Sequence, residues 1–272
     1  MRTLYVSDLD GTLLRSDQRT SEYTNRVINA LVVKGMLFSY ATARSYSTAR
    51  QVTAGMTAAF PVIVYNGAFI RDNATGEILL ENFFAQAEIL PVLEELLAAG
   101  IRPIVYAYVD GAEKFSYLAR EINPATREFV ESRAGDPRDR PVATREELVR
   151  GKIFYLACID APEKLAPFYA RFRDAFHCVY QRDVYSGEQW LELMPQAASK
   201  ANAIRQLKAL LGCDAVVVFG DGINDIDMFE DADAAYAVAN AVPELKQVAT
   251  GVIGANDADG VAAWLEAEFA AH

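Results

Sequence analysis

Histidine is almost missing from this chain. The 272 residues include two, His177 and His272, too few and too scattered for a Ser-His-Asp or Cys-His catalytic device. Cysteine is nearly as scarce. Cys158, Cys178 and Cys213 are an odd set without metal-ligand spacing, which argues against a disulfide framework and for a reducing compartment. There is no basic run, and the formal charge is −11, so most of the surface repels a nucleic-acid backbone and no DNA or RNA partner is expected. No apolar stretch approaches the ~20 residues of a membrane span. The opening MRTLYVSDLDG reaches charged residues too early for a signal peptide. A soluble, cytoplasmic protein with no membrane partner is therefore expected. The absence of a GxxxxGK[ST] loop excludes P-loop nucleotide chemistry at the motif level.

What is present suits a globular enzyme. At 52% hydrophobic and 23% charged residues the chain has enough apolar material for a sizeable core. Its length fits one large domain, or a core with an inserted module. Apolar strands expected at 3–7, 36–41, 62–65 and 215–219 alternate with helical patterns at 21–34, 47–54 and 200–211. Solid apolar strands between helices predict an α/β fold with a parallel sheet covered on both faces. Asn66-Gly67 and the stretch 73–76 are turn signals for a hairpin. From 83 to 189 the pattern changes, with more charge and proline between 121 and 141, and this stretch reads as an inserted α+β module. The expected organisation is a core of 1–82 and 190–272 around an insert of 83–189, with the chain returning to the core at Leu191–Met194.

With histidine and thiols set aside, the chemistry falls to carboxylates, a lysine and hydroxyls. Asp8 and Asp10 follow the first strand, where open α/β sheets bind ligands. Two carboxylates so close repel unless a cation or proton separates them. That suits Asp8 as an ionised nucleophile and Asp10 as a general acid and base. Read blandly, Asp-Gly-Thr is only a turn. Asp221, Asn224 and Asp225 end the strand 215–219. An oxygen-only donor set favours a hard cation such as magnesium, whereas GDGIND alone would equally serve as a capped turn. Lys200 follows the N-cap candidate Ser199, so an anion there would meet both an ammonium and a helix N-terminus. An exposed surface lysine reads just as well. Thr42 can donate its hydroxyl and backbone N–H to a phosphate oxygen, or simply cap a strand end. Arg44 is close enough to help with charge, although a solvated arginine is the commoner reading, and Asn66 reads as a turn residue. Tyr106, Tyr108, Phe115, Tyr117, Tyr180 and Tyr185 read as core of the insert, with a few facing substrate.

These motifs resemble the haloacid dehalogenase-like superfamily, most closely its Cof-type phosphatases. DLDGTLL at 8–14 looks like motif one, Thr42 in YATAR like motif two, Lys200 like motif three, and GDGINDIDM at 220–228 like motif four. VANAVPELKQVAT and NDADGVAAWL are similar to the tail of Cof-type proteins. The resemblance implies a Rossmann-like core with a parallel sheet, and an inserted α+β cap that closes over the site. It also implies magnesium held by Asp8, the main-chain carbonyl of Asp10, and Asp221, supported by Asp225, with Thr42, Lys200 and Asn224 holding the phosphate. Ala201 and Ala239 stand where many relatives have glycine.

The expected function is magnesium-dependent hydrolysis of a small phosphorylated metabolite, such as a sugar phosphate, through an aspartyl-phosphate. A dehalogenase needs no acid for a leaving halide, so Asp10 points to phosphoryl transfer. Two rivals remain at this level. A phosphomutase shares the intermediate, and a non-catalytic regulator would bind a phosphorylated effector. Such a regulator is expected to lose Asp8, Asp10 or Lys200, and all three are present. The physiological substrate, the cap residues that select it, the metals accepted and the oligomeric state are not encoded in any motif.

Overall fold

The computed structural model describes residues 2–182 and 187–270. Tyr185 and His272, named above, lie outside the described residues. The chain divides into two units, Met1–Glu81 with Ala198–His272, and Asn82–Ala197.

The first unit begins with β1 (Thr3–Ser7), α1 (Glu22–Val33), β2 (Leu37–Tyr40) and α2 (Tyr46–Val52). Ser21 and Ser45 cap the two helices by accepting from the backbone N–H groups of Thr24 and Thr48. β3 (Pro61–Val64), β4 (Phe69–Asp72) and β5 (Ile78–Glu81) form a three-stranded antiparallel sheet. Its turns fall at the Asn66-Gly67 and 73–76 signals. The sequence returns to this unit with α7 (Lys200–Leu211), β12 (Ala215–Gly220), α8 (Ile226–Asp231), β13 (Ala234–Val238), α9 (Pro243–Val248), β14 (Gly251–Ile253) and α10 (Gly260–Ala270). β14-β13-β12-β1-β2 make a five-stranded sheet in which every pairing is parallel. Leu4, Val6, Val218 and Phe219 are fully buried, as expected for strands covered on both faces.

Between them, the second unit contains α3 (Gln86–Ala98), β6 (Ile104–Val109), β7 (Ala112–Leu118), α4 (Pro124–Glu131), β8 (Asp139–Val142), α5 (Arg145–Leu148), β9 (Lys152–Ile159), α6 (Pro162–Phe172), β10 (His177–Arg182) and β11 (Gln189–Met194). The sheet order is β10-β11-β9-β6-β7-β8, antiparallel except for the β7–β8 pair. Helices α3 and α6 supply Ile89, Leu93, Leu96, Leu165 and Phe172 to a core shared with Val105, Leu156, Cys158, Leu191 and Leu193 of the sheet. Tyr106, Phe115 and Tyr117 are buried, as the reading of these aromatics as core requires, whereas Tyr108 and Tyr180 are only half-buried.

One boundary differs from the sequence reading. The apolar run at Leu191–Met194 was expected to re-enter the core sheet at 190, but it is β11. It lies between β10 and β9, with Leu191 opposite both Tyr180 and Cys158. The insert therefore runs to Ala197. An apolar strand looks the same whichever sheet it joins, so periodicity cannot place it. Among the described residues no helix is long and apolar enough to cross a membrane.

Candidate active site

Parallel pairing of β1 with β12 places Ser7 opposite Phe219, so both strands end at the same sheet edge. The Asp8 N–H donates to the Phe219 carbonyl at 2.9 Å, and the chain then leaves the sheet from both strands together. Asp8 and Asp221 are thus neighbours although 213 positions separate them in sequence. β2 lies on the other side of β1, where Ala41 N–H donates to the Ser7 carbonyl at 2.9 Å and brings Thr42 to the same edge. All the residues discussed next belong to the first unit.

Carboxylate oxygens of Asp8, Asp221 and Asp225 lie within 4.8 Å of one another. Lys200 is inserted among them. Its Nζ donates to Asp8 Oδ1 at 2.5 Å and to Asp225 Oδ1 at 2.7 Å. Lys200 is only 4% exposed, which rules out the surface-lysine alternative. It opens α7, whose cap Ser199 accepts from Asn202 N–H at 3.1 Å. Gly67 holds that helix start close to the loop after β3. Its φ is +102°, and a Cβ there would collide with the Ser199 carbonyl.

The loop after β1 is shaped around Asp221. Thr12 Oγ1 donates to Asp221 Oδ1 at 2.8 Å, and a Cβ at Gly11 (φ +76°) would strike the same carboxylate. Asp225 Oδ2 accepts from the backbone N–H groups of Asp221 at 3.0 Å and Gly222 at 3.1 Å, folding the motif-four turn over its own acid. Asn240 Nδ2 donates to the Gly11 carbonyl at 2.7 Å, and Asn240 Oδ1 accepts from Asn256 N–H at 3.0 Å. Asn256 Nδ2 in turn donates to the Leu14 carbonyl at 3.0 Å. The tail after β13 therefore braces the Asp8 loop. The sequence reading assigned no role to Thr12, Asn240 or Asn256, although all three lie within stretches it had noted as similar to relatives.

Charge decides what this arrangement can hold. Burial pushes the Asp8 carboxyl well above the usual carboxylate range; Lys200 opposes that rise, and Asp225 and Asp221 add to it. Burial, followed by the Asp225 charge, pushes Asp221 up to about 6. At Lys200 burial works against the ammonium, but Asp225 and Asp8 outweigh it and hold the group protonated above its ordinary range. Three carboxylates against one ammonium leave two negative charges in a largely buried site. A divalent cation on oxygen ligands would balance them, so the donor set fits a hard metal ion.

The other expected residues are placed differently. Thr42 is buried, and its hydroxyl oxygen accepts from the Arg44 N–H at 3.1 Å. Asn224 is exposed in the short turn Ile223–Asp225. Asp10 does not join the carboxylate cluster: both of its oxygens are taken by Arg44, with Nε to Oδ2 at 2.8 Å and Nη2 to Oδ1 at 2.6 Å. Arg44 is thus no solvated arginine, and its side chain is only 21% exposed. Asn66 occupies its turn with a φ of +51°.

The chain matches the haloacid dehalogenase-like hydrolase family over residues 5–265. It belongs to that family, in the Cof-type phosphatase branch. Two Bacillus subtilis relatives, YitU and YwtE, are each a 5-amino-6-(5-phospho-D-ribitylamino)uracil phosphatase. YitU is 24% identical, covering 98% of this chain and 97% of its own length. YwtE is 26% identical, covering 95% of each. A crystal structure of a Thermotoga maritima protein superposes with a TM-score of 0.79 at 27% identity, covering 98% of this chain and 97% of the other.

Proposed function

We propose that the protein is a magnesium-dependent phosphatase that hydrolyses small phosphate monoesters through an aspartyl-phosphate on Asp8. The observation that carries the proposal is the buried Asp8–Lys200–Asp225 triad, with Asp221 alongside. Asp8 supplies the nucleophile: one of its carboxylate oxygens attacks phosphorus as the bond to the leaving oxygen breaks. Asp10, protonated on an oxygen released from the Arg44 fork, gives its proton to that oxygen, so the alcohol leaves neutral. In the second half Asp10 takes a proton from water, whose oxygen attacks phosphorus. Asp8 is then released as a carboxylate beside inorganic phosphate. Lys200, Thr42 and the Asn224 side chain orient the phosphoryl oxygens. Asp8, Asp221, Asp225 and the Asp10 main-chain carbonyl are the proposed holders of the metal. Bound there, magnesium supplies positive charge that neutralises the carboxylates and steadies the phosphoryl oxygens.

For the substrate class we take a phosphorylated sugar or polyol. The phosphoribityl group in the names of the YitU and YwtE substrates supports this choice. Substrate choice is assigned to the inserted unit, Asn82–Ala197. The test is phosphate release from a panel of sugar and polyol phosphates, with and without magnesium, beside Asp8→Asn. Magnesium-dependent release that the variant lacks supports the reading. EDTA-resistant release, or near-normal turnover by Asp8→Asn, overturns it.

A further inference from the structure

Arg44 has no part in the steps just described, yet it is one of the most thoroughly held side chains near them. Its N–H donates to Thr42 Oγ1 at 3.1 Å, and its carbonyl accepts from Tyr65 N–H at 3.0 Å, so its backbone is fixed between β2 and the loop after β3. From there the guanidinium reaches across to the Asp8–Asp10 loop and engages both oxygens of Asp10. Nη2 also donates to Gln18 Oε1 at 3.3 Å. The side chain therefore reaches two points of the chain after β1, Asp10 and Gln18, while the Arg44 backbone is tied to Thr42 and Tyr65.

Asp10 by contrast has little else to hold it. Its side chain is 46% exposed, and it sits in a wide turn with φ −70° and ψ 121°. A half-exposed carboxylate has several rotamers open to it, and a proton donor must point at one oxygen. A two-bond fork fixes both the direction and the plane of a carboxylate, which a single contact does not. A surface ion pair between two mobile side chains would lack the backbone anchors seen at Arg44.

We propose that Arg44 is a positioning residue that acts through Asp10, setting the direction of the carboxylate that transfers the proton. The proposal rests on the assignment of Asp10 as the acid and base. It excludes the simpler idea that Arg44 serves by gripping the phosphate itself, because that role would not depend on Asp10.

The test is a double-mutant cycle on the full chain with saturating magnesium, using glycerol phosphate and p-nitrophenyl phosphate as probes. Arg44→Ala is expected to lower kcat on glycerol phosphate about 10- to 100-fold, the scale of a misdirected catalytic group. KM should stay within about threefold of wild type, since ground-state binding is untouched. The loss is smaller on p-nitrophenyl phosphate, whose leaving group needs less help from a proton. In an Asp10→Ala background, adding Arg44→Ala changes kcat on p-nitrophenyl phosphate by less than about twofold. Arg44→Lys keeps the charge without the fork and recovers part of the loss. An unchanged melting temperature shows that the fold is intact. The proposal is overturned if Arg44→Ala turns over as wild type, if its loss persists in the Asp10→Ala background, if KM alone rises, or if Asp10→Ala has no effect. Failure of the phosphatase reading looks different: it is near-normal turnover by Asp8→Asn.

Discussion

Replacing Lys200 by methionine removes the one charge that the two buried carboxylates share while keeping most of the apolar stem. The ammonium and its partners are almost closed to solvent, with side-chain exposures of 4% for Lys200, 8% for Asp8 and 0% for Asp225. Removing one member of such a group leaves the others buried without compensation, at a cost of about 3–5 kcal/mol. The lower end is expected, because the Asp8 carboxyl, already pushed well up by burial, can take a proton and shed one charge. For a unit of roughly 150 residues, about 3 kcal/mol lowers the melting midpoint by about 6–12 °C. Fluorescence can report the first unit alone. Trp264 packs against Tyr5, Phe219 and Tyr236 in that unit, and Trp190, on β11 in the other, can be replaced by phenylalanine as the reference background. Melting in EDTA gives the cost. Melting in excess magnesium then shows a larger rise for Lys200→Met than for the reference, since the cation enters a site with one more uncompensated charge. A metal-free loss below about 1 kcal/mol, the range of an exposed ion pair, would refute this reasoning. Equal magnesium shifts in the two proteins would do the same.

Asp221 gives a pH signature. Its folded pKa is raised from 3.8 to about 6, so the stabilisation it brings is complete below about pH 4 and is lost as pH rises through 6. Metal-free protein should lose about 2 kcal/mol from this group between pH 4 and 7, and magnesium should bind more tightly over the same interval as the competing proton leaves. A magnesium titration by melting at pH 5 and pH 7 that gave one affinity would contradict this. Thr12→Val removes the hydroxyl that steadies Asp221 Oδ1 and should weaken magnesium about 10-fold, read by calorimetry. Unchanged affinity would release Thr12 from that role. Gly67→Ala forces a side chain into a positive-φ position against the Ser199 carbonyl and should cost more than about 1 kcal/mol by urea denaturation. A neutral result would mean that the start of α7 can shift freely.

The strand ends could be read from the sequence because the physics there is local. The apolar runs at 3–7 and 215–219 have the length and branched side chains of buried strands, and the acids that follow them emerge where those strands end. α7 was equally clear, with Ser199 as cap and Gly212, at φ +61°, as stop. The sequence cannot show the Arg44–Asp10 pair because the partners lie 34 residues apart, and only the parallel register of β1 and β2 brings the two together. Asn240 and Asn256 reach the Asp8 loop across more than 200 residues by side-chain amides that donate to backbone carbonyls and leave no periodic trace. β13, largely alanine, and β14, only three residues long, carry no strand signal in the sequence; β13 becomes a strand by pairing with β12, and β14 by pairing with β13.

The most direct test of the central claim is a rapid-quench experiment with a phosphate-radiolabelled sugar phosphate and magnesium, analysed for label bound covalently to the protein. The account predicts transient labelling that maps to the peptide containing Asp8 and that is absent from Asp8→Asn. Normal phosphate release with no labelled protein at any time, or labelling that survives in Asp8→Asn, would contradict it.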